Sequence, residues 1–379
     1  MAASRKPAAF PAPHPRSSPD LIGHDAAWAR VSRWIERDQL PQALLICGPR
    51  GIGKATLAYR VARVLLGGAR GGGLAGTGSA DGGAQETQES RWIVSATHPD
   101  LLSIERAFDE TRGRIRAEII VDDVRRIATF LSSSPAMGGW RLVIVDSADE
   151  MNRNAANALL KTLEEPSDKC LILLIAHRPA LVSATIRSRC RRLLLQPLSN
   201  DVLQLLAGQF LPEMAREDIA GLCALADGSI GRVLQFARHG GLASERALRG
   251  FFTDVSNLPG IPGATANTLL AFAADPPLPV DDEGFGVAME VLFWWLRRIA
   301  EAASRDESGR ERGGGDDRVG DTALLRALCA RAPLDRWLQV WDKSQQLAQS
   351  AAAGNLDRAQ VLTLILLTLQ RELRILSAG

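Results

Sequence analysis

The sequence predicts an α/β fold: a mostly parallel sheet domain with covering helices, then a small helical lid and an all-α C-terminal domain. Three observations predict it. A glycine-rich loop at 48–56 sits between an apolar run and an amphipathic helical stretch. Two further apolar runs, Arg141–Asp146 and Leu171–Ala176, alternate with helical segments, the pattern of a buried parallel sheet. After about residue 197 the strand signal vanishes and apolar residues recur at helical spacing.

The chain of 379 residues is long enough for two or three domains with a sizeable core. Hydrophobic residues make up 46% and charged residues 23%, an ordinary soluble composition. A formal net charge of +2 gives no polyelectrolyte argument for nucleic-acid binding, so any basic surface must be local. Five cysteines, Cys47, Cys170, Cys190, Cys223 and Cys329, form no Cys-x-x-Cys pair, which fits free thiols in a reducing cytoplasm and offers no metal spacing. The longest apolar run near the end, Val361 to Leu369, is too short to span a bilayer, and no membrane segment is expected.

Taken in order, residues 1–20 are rich in Pro, Ala, Ser and Arg and read as a disordered tail. The sheet domain is expected over 21–196. Ala43–Cys47 is its first strand, and Leu57, Val61, Val64 and Leu65 mark the helix after the loop. Residues 67–90 are dominated by Gly, Ala, Ser and Thr and read as a flexible insertion. Leu101–Glu105 is a strand candidate, and Asp122 is the expected N-cap of a helix from Asp123 to about Leu131. A helix over Asn152–Glu165 is stopped by Pro166. The lid is expected over 197–242 and a helical collar over 243–379, with a flexible loop at 305–321. In that collar Val291, Trp294, Trp295 and Ile299, then Trp337, Val340 and Trp341, read as core stripes rather than a ligand box.

The loop Gly48-Pro-Arg-Gly51-Ile-Gly53-Lys54-Ala55-Thr56 follows the phosphate-binding pattern G-x-x-x-x-G-K-[ST], with alanine at the last place. Glycines let backbone N–H groups turn inward around phosphate oxygens, and Lys54 reaches the β- and γ-phosphates. The hydroxyl expected at 55 would hold Mg²⁺, and a methyl group cannot. Gly48, Gly51, Gly53, Lys54 and Thr56 are the candidate nucleotide-binding residues of the loop. Thr56 carries the nearest hydroxyl, but one helical position late, about 100° around the axis.

Val143-Ile144-Val145-Asp146 fits the second nucleotide motif, an apolar strand delivering an Asp toward Mg²⁺. Ser147 follows, where a hydrolysing ATPase of the ring-forming class carries a Glu, and a hydroxyl is a far weaker base. Ala55 and Ser147 are two independent losses that both strike hydrolysis. The competing reading is an ATPase that uses a displaced acid, Asp149 or Glu150. His177, at the end of the strand Leu171–Ala176, reads either as a phosphate contact or as a surface residue. Arg232, in Gly228-Ser229-Ile230-Gly231-Arg232, reads either as a lid arginine reaching the nucleotide or as a solvated helix residue.

Leu159-Leu-Lys-Thr-Leu-Glu-Glu-Pro166, followed by Ser188-Arg189-Cys190, resembles the clamp-loader branch of the AAA+ ATPases. Thr97-His98-Pro99-Asp100 and Asn355-Leu-Asp-Arg358 add to the resemblance, which covers roughly residues 20–375. It implies that Arg189 is a finger inserted into a neighbouring subunit's ATP site. In GTPases a finger supplied in trans is worth roughly 10³–10⁵ in rate. Arg189 otherwise reads as one surface arginine among Arg187, Arg191 and Arg192.

The resemblance also implies a hetero-oligomeric ring of motor subunits and a delta subunit. That ring acts on a sliding clamp and primed DNA for a DNA polymerase III holoenzyme. Many relatives carry a four-cysteine zinc module before the His-Pro-Asp segment. The interval here holds no cysteine, so no zinc is expected. Ala55 and Ser147 point to the non-hydrolysing member of the ring, with ATP held weakly or without turnover. The alternative is an ATP-hydrolysing motor of the same ring. No polymerase carboxylate cluster is legible, so a nucleotidyltransferase label would belong to the holoenzyme.

Overall fold

The computed structural model describes residues 14–18, 20–67, 87–110, 114–165, 167–257, 282–308, 319–354 and 357–374. The chain divides into two compact units. One holds the described residues up to Phe210 together with Asp227–Gly231, and the other holds Leu211–Ala226 and the described residues from Arg232 onward.

In the first unit the elements run α1 (Asp25–Glu36), β1 (Ala43–Cys47), α2 (Lys54–Leu66), α3 (Gln88–Val94), β2 (Leu101–Glu105), β3 (Phe108–Asp109), β4 (Arg114–Ile115), α4 (Val121–Ser132), β5 (Arg141–Asp146), α5 (Arg153–Glu164), β6 (Cys170–Ala176), α6 (Ala184–Arg189), β7 (Arg191–Leu194) and α7 (Asn200–Phe210). Five strands form one parallel sheet in the order β2-β5-β6-β1-β7, and β3 and β4 make a separate short hairpin.

Every residue of β1 and β6 is buried. That follows from covering both faces of a parallel sheet, since alternate side chains then have no solvent side. Leu45, Val143, Val145, Ile172 and Leu174 meet Val124 and Ile127 of α4 and Leu159 and Leu163 of α5. Leu44, Ile46, Ile144, Leu173 and Ile175 meet Val31 and Trp34 of α1 and Leu57 and Val61 of α2.

Three expectations need correction. The helix after Ile119 starts at Val121, with Ile120 rather than Asp122 in the cap position. Asp123 reaches back and accepts the Ile120 N–H at 3.1 Å, which satisfies a donor that the helix leaves orphaned. The insertion expected over 67–90 ends earlier, because Thr87 caps α3 by accepting the Ser90 N–H at 3.2 Å. The loop expected over 305–321 overlaps two helices at its ends, and its residues 309–318 lie outside the described residues. Pro166, expected to stop α5, also lies outside them.

The second unit is helical: α8 (Arg216–Leu225), most of α9 (Ile230–Arg238), α10 (Gly241–Asn257), α11 (Asp282–Ser308), α12 (Val319–Arg331), α13 (Leu334–Gly354) and α14 (Arg358–Arg374). Val291, Trp295 and Ile299 of α11 and Trp337 and Val340 of α13 are buried with Phe251 and Phe252 of α10, so these stripes are core. Asp321 of α12 is also buried. It accepts from Arg249 of α10 at 2.5 Å and from Arg298 of α11 at 2.7 Å, and Arg298 stacks on Trp294. Burial alone would push its carboxyl up, but hydrogen bonds from the two arginines hold it below the usual carboxylate range.

Candidate functional site

Parallel strands bring their carboxyl ends to one edge of the sheet, where such folds bind ligands. Cys47 pairs with Ala176, and Asp146 pairs with Ile175 and with Glu105. The loop after β1, Asp146, His177 and Glu105 therefore stand side by side at that edge.

The loop holds its shape by backbone geometry. Gly48, Gly51 and Gly53 have φ of +148°, +77° and +105°, angles that side chains with a Cβ rarely tolerate. A Cβ on Gly51 would also lie 2.4 Å from Ser229 Oγ. Four successive loop carbonyls are engaged by the chain itself. Pro49 accepts from Lys54 Nζ at 2.5 Å, and Arg50 from Ser229 Oγ at 2.8 Å. Gly51 accepts from the Gly231 N–H at 3.0 Å, and Ile52 lies 2.6 Å from His24 Nε2. Planar peptides with these carbonyls engaged turn their N–H groups to the other side, which forms an anion cradle. The α2 N-terminus starts at Lys54 and adds its dipole.

Lys54 is 3% exposed, and burial lowers its pKa to about 8 against the pull of Asp146 and Asp149. Burial, with the nearby Glu105 charge, raises Asp146 to about 6. Burial and the Lys54 charge lower His177 to about 4, so its ring is neutral at physiological pH. Its Nε2 lies 3.9 Å from Asp146 Oδ1. His177 thus lies beside Asp146, with its side chain 17% exposed.

A phosphate fits this donor set, held by the loop N–H groups and Lys54. Mg²⁺ fits less well. Ala55 packs against the apolar cluster on the α1–α2 side of the sheet, and Thr56 is half-buried one helical position on. Among the described residues no group of three or more His, Cys, Asp or Glu could hold a metal ion.

Both displaced acids have other partners. Asp149 accepts the backbone N–H groups of His177 at 2.9 Å and Arg178 at 3.0 Å, and its carboxylate is 1% exposed. Glu150 pairs with Arg106 at 2.9 Å. Ser147 is buried beside them. The bonding of Asp149 to the loop after β6, and of His24 and Ser229 to the phosphate loop, had no sequence signal, because each partner is 28 or more positions away.

Arg189 stands at the other end of the sheet. Leu44, near the start of β1, pairs with Arg191, and Arg189 precedes that pair. The phosphate loop follows the last residue of β1, about 15 Å away at the rise of a strand. Arg189 Nη2 lies 2.6 Å from Glu164 Oε1, and its Nη1 donates to the Thr185 carbonyl at 3.1 Å. Arg189 lines an open cleft of about 310 Å³, with Gln42, Thr162, Ser188 and Arg191 among its other walls. Arg232 lies in the helical unit, where its Nε donates to Glu290 of α11 at 3.2 Å.

The His98-Pro99-Asp100 segment is structural. Asp100 is fully buried and accepts the N–H groups of Ala136 at 2.8 Å and Met137 at 2.9 Å, which fixes the turn into β5.

The family described as "DNA polymerase III, delta subunit" matches residues 23–199, the stretch that carries the phosphate loop, Asp146 and Arg189. A DNA polymerase III subunit delta' from Pseudomonas aeruginosa is 36% identical over 205 residues, 54% of this chain and 57% of the relative. Through this stretch the chain is similar to delta-prime subunits of DNA polymerase III. A delta-prime relative from Bacillus subtilis is 29% identical over 225 residues, 56% of this chain and 59% of that protein. A DNA polymerase III subunit tau/gamma from Haemophilus influenzae is 25% identical over 294 residues, 76% of this chain and 38% of the relative. The chain thus spans somewhat over half the length of the two delta-prime relatives. Arg232 and the helical unit lie outside the family match at 23–199.

Proposed function

We propose that this chain is a delta-prime-like stator of a DNA polymerase III clamp loader. It hydrolyses little or no ATP itself, donates Arg189 to a neighbouring ATPase subunit, and helps place a sliding clamp on primed DNA. The observation that carries the reading is the engagement of Asp149 and Glu150 by other groups, beside a serine at 147. Water activation then lacks its carboxylate, and the Mg²⁺ hydroxyl is missing at 55. The place of Arg189 at the sheet end away from the phosphate loop supports action in trans.

In this reading Gly48, Gly51, Gly53 and Lys54 hold ATP weakly or without turnover, with Thr56 and Asp146 around it. Residues 197–242 serve as the lid and 243–379 as the collar that joins the ring. The partners are motor subunits of the tau/gamma kind and a delta subunit, in the cytoplasm, and the chain carries no zinc.

Steady-state ATP hydrolysis by the purified chain, beside Lys54→Ala, tests the silent site. Turnover equal to that of the variant supports the stator. Turnover that disappears in Lys54→Ala moves the chain to the motors. Arg189→Ala in the reconstituted ring tests the finger, with reduced ATP turnover by the motors expected.

A further inference from the structure

Arg189 is the last residue of α6 and Glu164 the last residue of α5, so two helix ends present opposite charges to each other. The contact at 2.6 Å is a charge-assisted hydrogen bond, and the Thr185 carbonyl takes a second donor. We propose that Glu164 is a resting counter-ion that holds Arg189 back until a neighbouring subunit's nucleotide displaces it. This inference rests on the reading of Arg189 as a finger.

A finger works by bringing net positive charge, and a fork of donors, to a phosphoryl group whose charge is redistributing. With a carboxylate against Nη2, Arg189 brings neither in full. Its charge is offset, and one arm of its fork is occupied. The carboxylate would also repel phosphate oxygens approaching the same guanidinium. The pair must therefore open before the finger acts.

Exposure makes opening easy. The two side chains are 35% and 48% exposed, and ion pairs of that kind are weak. The contact shifts the poise of Arg189 by a factor of roughly two to five rather than locking it. Glu164 also has no route to the chain's own chemistry, because it shares the sheet end that carries Arg189. It is a positioning residue that acts through Arg189.

The test is ATP turnover by the reconstituted clamp-loader ring carrying wild type, Glu164→Gln, Arg189→Ala or the double variant. Glu164→Gln keeps an acceptor for the guanidinium and removes its charge. It should raise kcat roughly two- to fivefold at saturating ATP and leave the melting temperature unchanged. In the Arg189→Ala background the same substitution should change nothing, because Glu164 acts only through that guanidinium. Unchanged or lower kcat in Glu164→Gln, with Arg189→Ala still impaired, would overturn the counter-ion and leave the finger standing. Unchanged kcat in Arg189→Ala would remove the finger and the counter-ion together. A gain from Glu164→Gln that persists without Arg189 would also overturn the proposal.

Discussion

Gly231 and Gly51 meet backbone to backbone. The Gly231 N–H donates to the Gly51 carbonyl at 3.0 Å, and a Cβ on Gly231 would lie 2.8 Å from Gly51 Cα. The turn after α8 is thus stitched to the phosphate loop across 180 positions of sequence, with Ser229 making the adjacent bond to Arg50.

Gly231→Ala should therefore force these backbones away from each other, since neither has flexible atoms to yield. A loss of about 1–3 kcal/mol is expected, the range for overpacking, read as a lower urea midpoint. A wild-type midpoint would mean that the turn does not rest on the loop.

Asp149→Ala should destabilise the chain by about 1–3 kcal/mol, because the backbone donors of His177 and Arg178 lose their acceptor. Asp149→Asn should do less harm, since its carbonyl oxygen can still serve one of them. Were Asp149 a water-activating base, both variants would instead lose turnover at unchanged stability. Urea melts beside an ATPase assay separate the two.

Asp146 gives a pH-dependent expectation. Its pKa is about 6 in the folded chain, raised by burial and then by Glu105. An unfolded aspartate titrates at about 3.9. The folded state thus favours the protonated acid, and stability from this group is lost as pH rises from about 4 through about 6. Asp146→Asn should accordingly be more stable than wild type at pH 7.5, by about 1–3 kcal/mol, with the gap closing below about pH 4. Thermal melts across that range check it. A gap that stays constant with pH would refute the assignment.

Asp321→Ala should be the most damaging of these substitutions. It leaves Arg249 and Arg298 without the carboxylate between them, inside a cluster of tryptophans. Breaking a buried pair by removing one partner costs about 3–5 kcal/mol. Denaturant melts of the whole chain should show that loss, and a change under about 1 kcal/mol would mean that existing partners, such as Glu245 beside Arg249 at 2.7 Å, suffice.

The sheet was legible because burial on both faces leaves continuous apolar runs, as at Ala43–Cys47 and Leu171–Ala176. The phosphate loop was legible because its glycines and Lys54 are local in sequence. Helix α3 was not, because Gln88–Val94 is short and adjoins a glycine-rich stretch that masks its cap. Asp321 was misread for a similar reason: glycines and charges just before it suggested solvent, while its partners sit 72 and 23 positions away. The bond between Arg189 and Glu164 falls in the same class. Both motifs could be read, but not that they touch.

The four engaged carbonyls of the phosphate loop bear on what this loop can sense. A loop that must reorganise around a ligand can relay its arrival, much as a latch clicks. Here the strand, the turn at 229–231, His24 and Lys54 already dictate the curve, so an incoming phosphate would find little left to rearrange. Such a cradle behaves as masonry rather than as a gauge. In the assembly proposed above, signals would then have to originate elsewhere than at this loop.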